Sequence, residues 1–118
     1  LPICFSQAGC VALVAGAAAG AGTVVYIKGN LDETVNAPAN KTHFATIAAL
    51  KEMNMPIRDD QHDQMTAHVK SQYADGKHVW IDIEEINNAS CKLQIRVGTF
   101  GDEYRARQIL DAIHKHLK

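Results

Sequence analysis

The chain has 118 residues, 47% of them hydrophobic and 21% charged, with twelve Lys/Arg against thirteen Asp/Glu. That length supports one domain with a modest core. A formal charge of −1 excludes a strongly basic nucleic-acid binder and a polybasic membrane-surface module.

The opening 27 residues, LPICFSQAGCVALVAGAAAGAGTVVYI, carry no charge, so every charged side chain lies beyond Ile27. Three readings of this leader stand side by side. The first is the tail of a secretory signal with its processing site; the chain starts without Met or a basic region, so the start of a precursor is expected to be missing. Gln7-Ala8-Gly9-Cys10 resembles the lipobox of bacterial lipoproteins, in which small residues precede a cysteine that is cleaved and acylated. Ala8 and Gly9 fit; Gln7 departs, since an aliphatic residue is usual there. The second reading is a membrane or oligomerising helix. Twenty-two helical residues reach roughly 33 Å, about a hydrocarbon core, and Gly16 and Gly20 have the small-xxx-small spacing of close helix packing. The third is an Ala/Gly tether. Cys4, Cys10 and Cys91 form an odd set, which favours acylation of Cys10 and loss of Cys4 with the signal; a Cys4–Cys10 disulfide is the alternative if the leader is retained. Residues 1–22 are therefore read as signal remnant, lipid anchor and tether, and 23–118 as a single domain.

In that domain residues 23–27, TVVYI, predict a first strand continuing past Gly29 towards Leu31. Asn40 or Thr42 is expected to cap a helix with an apolar stripe of Phe44, Ile47 and Leu50, ended by Asn54-Met55-Pro56. Residues 57–65, IRDDQHDQM, begin as a short strand and become a polar connection. Three alternating segments follow. Residues 66–73 alternate Ala67, Val69, Ser71 and Tyr73 with polar partners, and Ala74-Asp75-Gly76-Lys77 predicts a hairpin turn. Residues 78–84 set Val79, Ile81 and Ile83 on one face, and 91–97 do the same with Cys91, Leu93, Ile95 and Val97. Asp102 or Thr99 caps a last helix, in which Ala106, Ile109, Leu110, Ile113 and Leu117 form one stripe. The expected fold is α+β: a four- or five-stranded antiparallel sheet with two helices on one face, in the order β-α-β-β-β-β-α.

The leader, the segments TVVYIKGNL, FATIAALKEMNM and YADGKHVWIDI, and the closing IRVGTFGDEYRARQIL resemble a group of small bacterial envelope lipoproteins of uncharacterised function. The resemblance covers about residues 8–117, and its most specific piece runs from Arg96 to Asp102. It implies an exported, lipid-anchored domain with no known activity. The element order is also similar to the helix-grip domains of an outer-membrane assembly lipoprotein, which bears on fold alone.

Asp59-Asp60-Gln61-His62-Asp63, with His68 beyond, has metal-friendly side chains but no second pair at zinc spacing and no EF-hand pattern, so a solvated polar loop is expected. His114 and His116 point to different sides of a helix and are read as complements of its dipole. Two glycines ahead of a helix, Gly98 and Gly101, read as a tight β–α turn rather than a phosphate loop. Asn40-Lys-Thr42 and Asn88-Ala-Ser90 match the glycosylation sequon and are read as a cap and a turn. No hydrolase, zincin, P-loop or dinucleotide fingerprint occurs, and Ser90 and Cys91 have no evident base. Neither an enzyme, a cofactor nor a metal is expected.

Trp80, Tyr26 and Val24 are expected on the face opposite the helices, as an apolar partner surface. The resulting expectation is a non-catalytic envelope lipoprotein, tethered through Cys10. Val11 after that cysteine favours the periplasmic side of the outer membrane. Its partners would be the membrane, through the lipid, and other envelope proteins or itself, with no nucleic acid. Two alternatives accompany it: a binder of a small apolar ligand between sheet and helices, and an oligomer packed through Gly16 and Gly20.

Overall fold

A computed structural model describes residues 24–117, and the expectations for Cys4, Cys10, Gly16 and Gly20 lie outside the described residues. Two short strands open the fold, β1 (Val24–Ile27) and β2 (Asn30–Val35). Lys28 and Gly29 join them with φ of 53° and 88°, the paired positive dihedrals of a type I′ hairpin turn. The single strand expected through Gly29 is thus a hairpin. The reason it escapes the sequence is chemical: Lys is an unusual first residue for such a turn.

Helix α1 (Ala39–Glu52) follows, then β3 (Ile57–His62), β4 (Thr66–Gln72), β5 (His78–Asn87), β6 (Ser90–Val97) and α2 (Glu103–Leu117). All neighbouring strands are antiparallel, in the order β1-β2-β6-β5-β4-β3. The fold class is α+β as expected, but the sheet has six strands rather than four or five. The strand missing from the expected order is β2, and β3, expected only as a short start, runs on to His62. β2 carries Glu33 at an inward position, and β3, with a register shift between Ile57 and Asp59, is almost wholly polar.

One sheet face is covered. Leu31, Val69, Val79, Ile81, Ile83, Leu93 and Ile95 are buried there beneath the helices, and the stripe Ala106, Ile109, Leu110, Ile113 and Leu117 of α2 closes over them. At about 1.5–3 kcal/mol for each large side chain, these positions dominate the stability. Asp102 accepts the Arg105 backbone N–H at 3.1 Å, as the capping pattern predicts.

Helix α1 differs from expectation. Its buried face is Ala39, Thr42, Ala45, Thr46, Ala49 and Leu50, whereas Phe44 is 77% exposed. Pro38 occupies the cap position without a side-chain hydrogen bond. Asn54 ends the helix at φ 59°, with the Met55 N–H donating to the Leu50 carbonyl at 2.9 Å, a left-handed stop that Asn tolerates.

Strand register also corrects β1. Val24 and Tyr26 lie opposite Glu33 and Leu31, both buried on the helix-facing side, and pack against the core. Val25 and Ile27 take the outer face instead. The hairpin turn sets this phase, which strand composition alone leaves undetermined.

Candidate functional site

The outer sheet face carries no helix. Trp80 stands on it between Lys70 of β4 and Arg96 of β6, with its ring 5.9 Å from that of His78. Its surroundings are polar: Thr66, His68, Asp82, Glu84, Lys92 and Gln94 line an open depression beside it. The His68 ring meets the Asp82 carboxylate at 2.7 Å. The apolar part of this face is at the sheet edge, where Val25 and Ile27 are exposed on β1. Of the three residues expected to form one apolar surface, Trp80 is therefore separated from Tyr26 and Val24 by the sheet itself.

The segment from Arg96 to Asp102 acts as a latch. The Arg96 guanidinium donates to the Lys28 carbonyl at 3.0 Å, to Asn30 Oδ1 at 3.1 Å and to the Thr99 carbonyl. One planar side chain therefore pins the β1–β2 turn to the loop leading into α2. Gly101, at φ 87°, lies so close to that turn that a Cβ would come within 2.4 Å of Gly29 Cα. These glycines serve chain crossing.

The hairpin turn after β4 is tied to α2 in a similar way. Arg105 donates twice to the Asp75 carboxylate, at 3.2 and 2.8 Å, and lies 4.5 Å over the Tyr73 ring. These bonds hold the Asp75 carboxyl below the usual carboxylate range and raise the Arg105 guanidinium. At the far end of α2, His114 meets the buried Glu33 carboxylate at 2.6 Å, and this hydrogen bond raises the imidazole pKa. His116 and Lys115 meet Glu52 at 2.6 and 2.8 Å. The two histidines read as dipole complements thus also pair with specific carboxylates.

Cys91 is buried as expected of its strand position. Its thiol donates to Thr42 Oγ1 at 3.2 Å, and burial pushes its pKa up, which is the state of a packing residue rather than a thiolate. The hydroxyls of Ser71 and Ser90 donate to the Pro56 carbonyl and to Asn87 Oδ1.

A cluster that the sequence shows only in part, through Asp60 and His62 but not His43, lies where α1 meets edge strand β3. Strand β3 continues through residues 59–62, where a solvated polar loop is expected after a short start, so Asp60 and His62, two apart, project to one face. Their partners in register, Val69 and Ala67, are core residues, which fixes that face as the one turned towards the helices. His43 of α1 reaches Asp60 Oδ1 through Nε2 at 2.7 Å, and His62 Nδ1 is 3.6 Å from the same oxygen. The two imidazole rings are 4.4 Å apart. The strand spacing D-x-H was the available signal; its partner, seventeen residues upstream on a helix, left none.

Residues 2–116 match the model of a family described as protein of unknown function (DUF3568). The chain belongs to that family. The match takes in the charge-free opening together with the described fold. No curated protein matches the chain. Among the described residues no helix is long and apolar enough to cross a membrane.

Proposed function

We propose that this chain is a non-catalytic, lipid-tethered domain of the bacterial cell envelope, a structural or accessory subunit of a membrane-associated assembly. The observation that carries the reading is the charge-free run of 27 residues containing Ala8-Gly9-Cys10, which leads into the first strand of a folded domain. Acylation of Cys10 by more than one chain gives stable anchorage, because two membrane signals generally suffice. Val11 after the cysteine favours the outer membrane, with the domain facing the periplasm.

The engagement of the domain's polar side chains agrees with a structural role. Arg96, Arg105 and His114 each tie one element to another. The uncovered sheet face offers Trp80, a residue type enriched in interface cores. Edge strand β1, with Val25 and Ile27 exposed, offers backbone groups to an added strand. Between sheet and helices the space is occupied by Leu50, Ile81, Ile109 and Ile113, all fully buried. That filling favours an accessory subunit over a binder of apolar ligands, which needs a chamber of hundreds of cubic ångströms.

Intact mass of the protein extracted from its native membrane tests the tether. The expected result is a chain starting at Cys10 with added acyl mass; an unmodified chain in the aqueous fraction would overturn it. For the partner face, Trp80→Ser should remove proteins that co-purify from the membrane, while Phe44→Ser on the helix side should leave them. Retention in both variants would count against the sheet face.

A further inference from the structure

We propose that His43, Asp60 and His62 form a binding site for a divalent transition-metal ion of the Zn2+ type, at the junction of α1 and edge strand β3. The site is independent of the membrane tether and of the outer sheet face. Two imidazoles and one carboxylate are the donor set that borderline metals prefer, and three protein ligands with the remaining positions open is a common zinc arrangement. The donor atoms of the three side chains all lie within 4.8 Å of one another. Tetrahedral metal bonds of about 2.0–2.2 Å place neighbouring donors about 3.3–3.6 Å apart, so the His43–Asp60 pair, at 2.7 Å, has to open slightly and the widest donor separation to contract only modestly.

The side chains are arranged for that contraction. His43 and Asp60 are 15% and 31% exposed and are fixed between helix and strand, whereas His62, at 55%, is free to turn its ring inward. The strand end just beyond is held: Asp63 Oδ1 accepts the backbone N–H groups of Met65 and Thr66, both at 2.8 Å. A metal ion would take the place of the proton that now lies between His43 and Asp60, and the open side of His62 leaves room for water to complete the shell. Elsewhere, His68–Asp82 and His116–Glu52 bring one imidazole to one carboxylate. Only at Asp60, among the described residues, does a group of three such side chains converge. A bound ion would also stitch α1 to the free edge of the sheet.

The test is titration of the full chain, freed of metal with a chelator, with Zn2+ and then with Co2+. The proposal expects one Zn2+ per chain and a rise in melting temperature on binding. His62→Gln and His43→Gln should each weaken binding by more than about a hundredfold, beyond the effect of losing an outer partner. His68→Gln, at the other pair, should leave it unchanged. Absorption of the Co2+ complex should show nitrogen and oxygen ligation without sulfur-to-metal charge transfer, which separates this site from the thiols of Cys4 and Cys10. His62→Gln lies on an exposed side chain, so the variant should remain folded by circular dichroism. Failure to take up stoichiometric Zn2+, undiminished uptake by His62→Gln or His43→Gln, or a thiolate band would each overturn the proposal.

Discussion

At Gly101 two constraints coincide. The residue has φ 87°, and the nearest atoms to a would-be Cβ are Gly29 Cα at 2.4 Å and Tyr26 Oη at 2.6 Å. Gly76, in the hairpin turn, has φ 97° but only the end of the Gln72 side chain nearby, at 4.0 Å. The comparison separates backbone strain from collision. Gly76→Ala should cost about 1–2 kcal/mol, the penalty of a left-handed conformation for a residue with Cβ. Gly101→Ala should cost more than about 3 kcal/mol, because one backbone segment must move away from another. Urea midpoints of the two variants check this; equal losses would mean that the approach of the two turns is not tightly held. Arg96 belongs to the same junction. Its loss removes charge-assisted hydrogen bonds to two loops at once, about 1.5–3 kcal/mol for such a donor.

Helix α1 shows how an element can be legible in existence and misleading in orientation. Its length and its end at Asn54-Met55-Pro56 follow from the sequence, yet the bulky residue Phe44 faces solvent and two threonines face the core. Small residues allow the helix to approach the sheet closely, and the buried Thr46 hydroxyl is satisfied by donating to the Thr42 carbonyl at 2.8 Å. Substitutions distinguish the two stripes. Leu50→Ala, at a position with no exposure, should cost about 2–5 kcal/mol. Phe44→Ala should change stability by no more than about 0.5 kcal/mol. Thermal melts of both variants suffice, and the reverse order would restore the stripe expected from Phe44. The same contrast explains what else could be read. The strands β4, β5 and β6 and helix α2 have apolar residues at the period of their own geometry, so local sequence and fold agree. β2 and β3 break that period with Glu33 and with Asp60, residues whose partners His114 and His43 lie on helices. The hidden part of the fold and the hidden cluster thus share one cause: polar side chains kept at helix-facing positions by long-range partners.

At the scale of the described fold, the second strand and the last helix meet through one such pair. Glu33 of β2 and His114 of α2 are 81 residues apart and join at 2.6 Å, with Glu33 only 2% exposed. The hydrogen bond to Glu33 raises the folded-state pKa of His114, against desolvation that lowers it. In the unfolded chain the imidazole titrates near 6.5. Between these values the folded protein holds the extra proton, so stability falls as pH rises. The contribution is complete below about pH 6.5 and is lost as pH climbs through the raised value. Other shifted groups leave that window clear. The carboxyls of Glu52, Asp63 and Asp75 have lowered pKa values, so their contributions are present throughout it and fade only in acid. The raised thiol of Cys91 and phenol of Tyr73 act at alkaline pH. Urea melts from about pH 6 to about pH 8 should therefore show a declining midpoint in the wild type. His114→Gln keeps a donor towards Glu33 but cannot titrate, so its midpoint should start lower and fall less over the same range. A decline of equal size in both proteins would place the pH sensitivity elsewhere and reduce the Glu33–His114 pair to a contact without linkage.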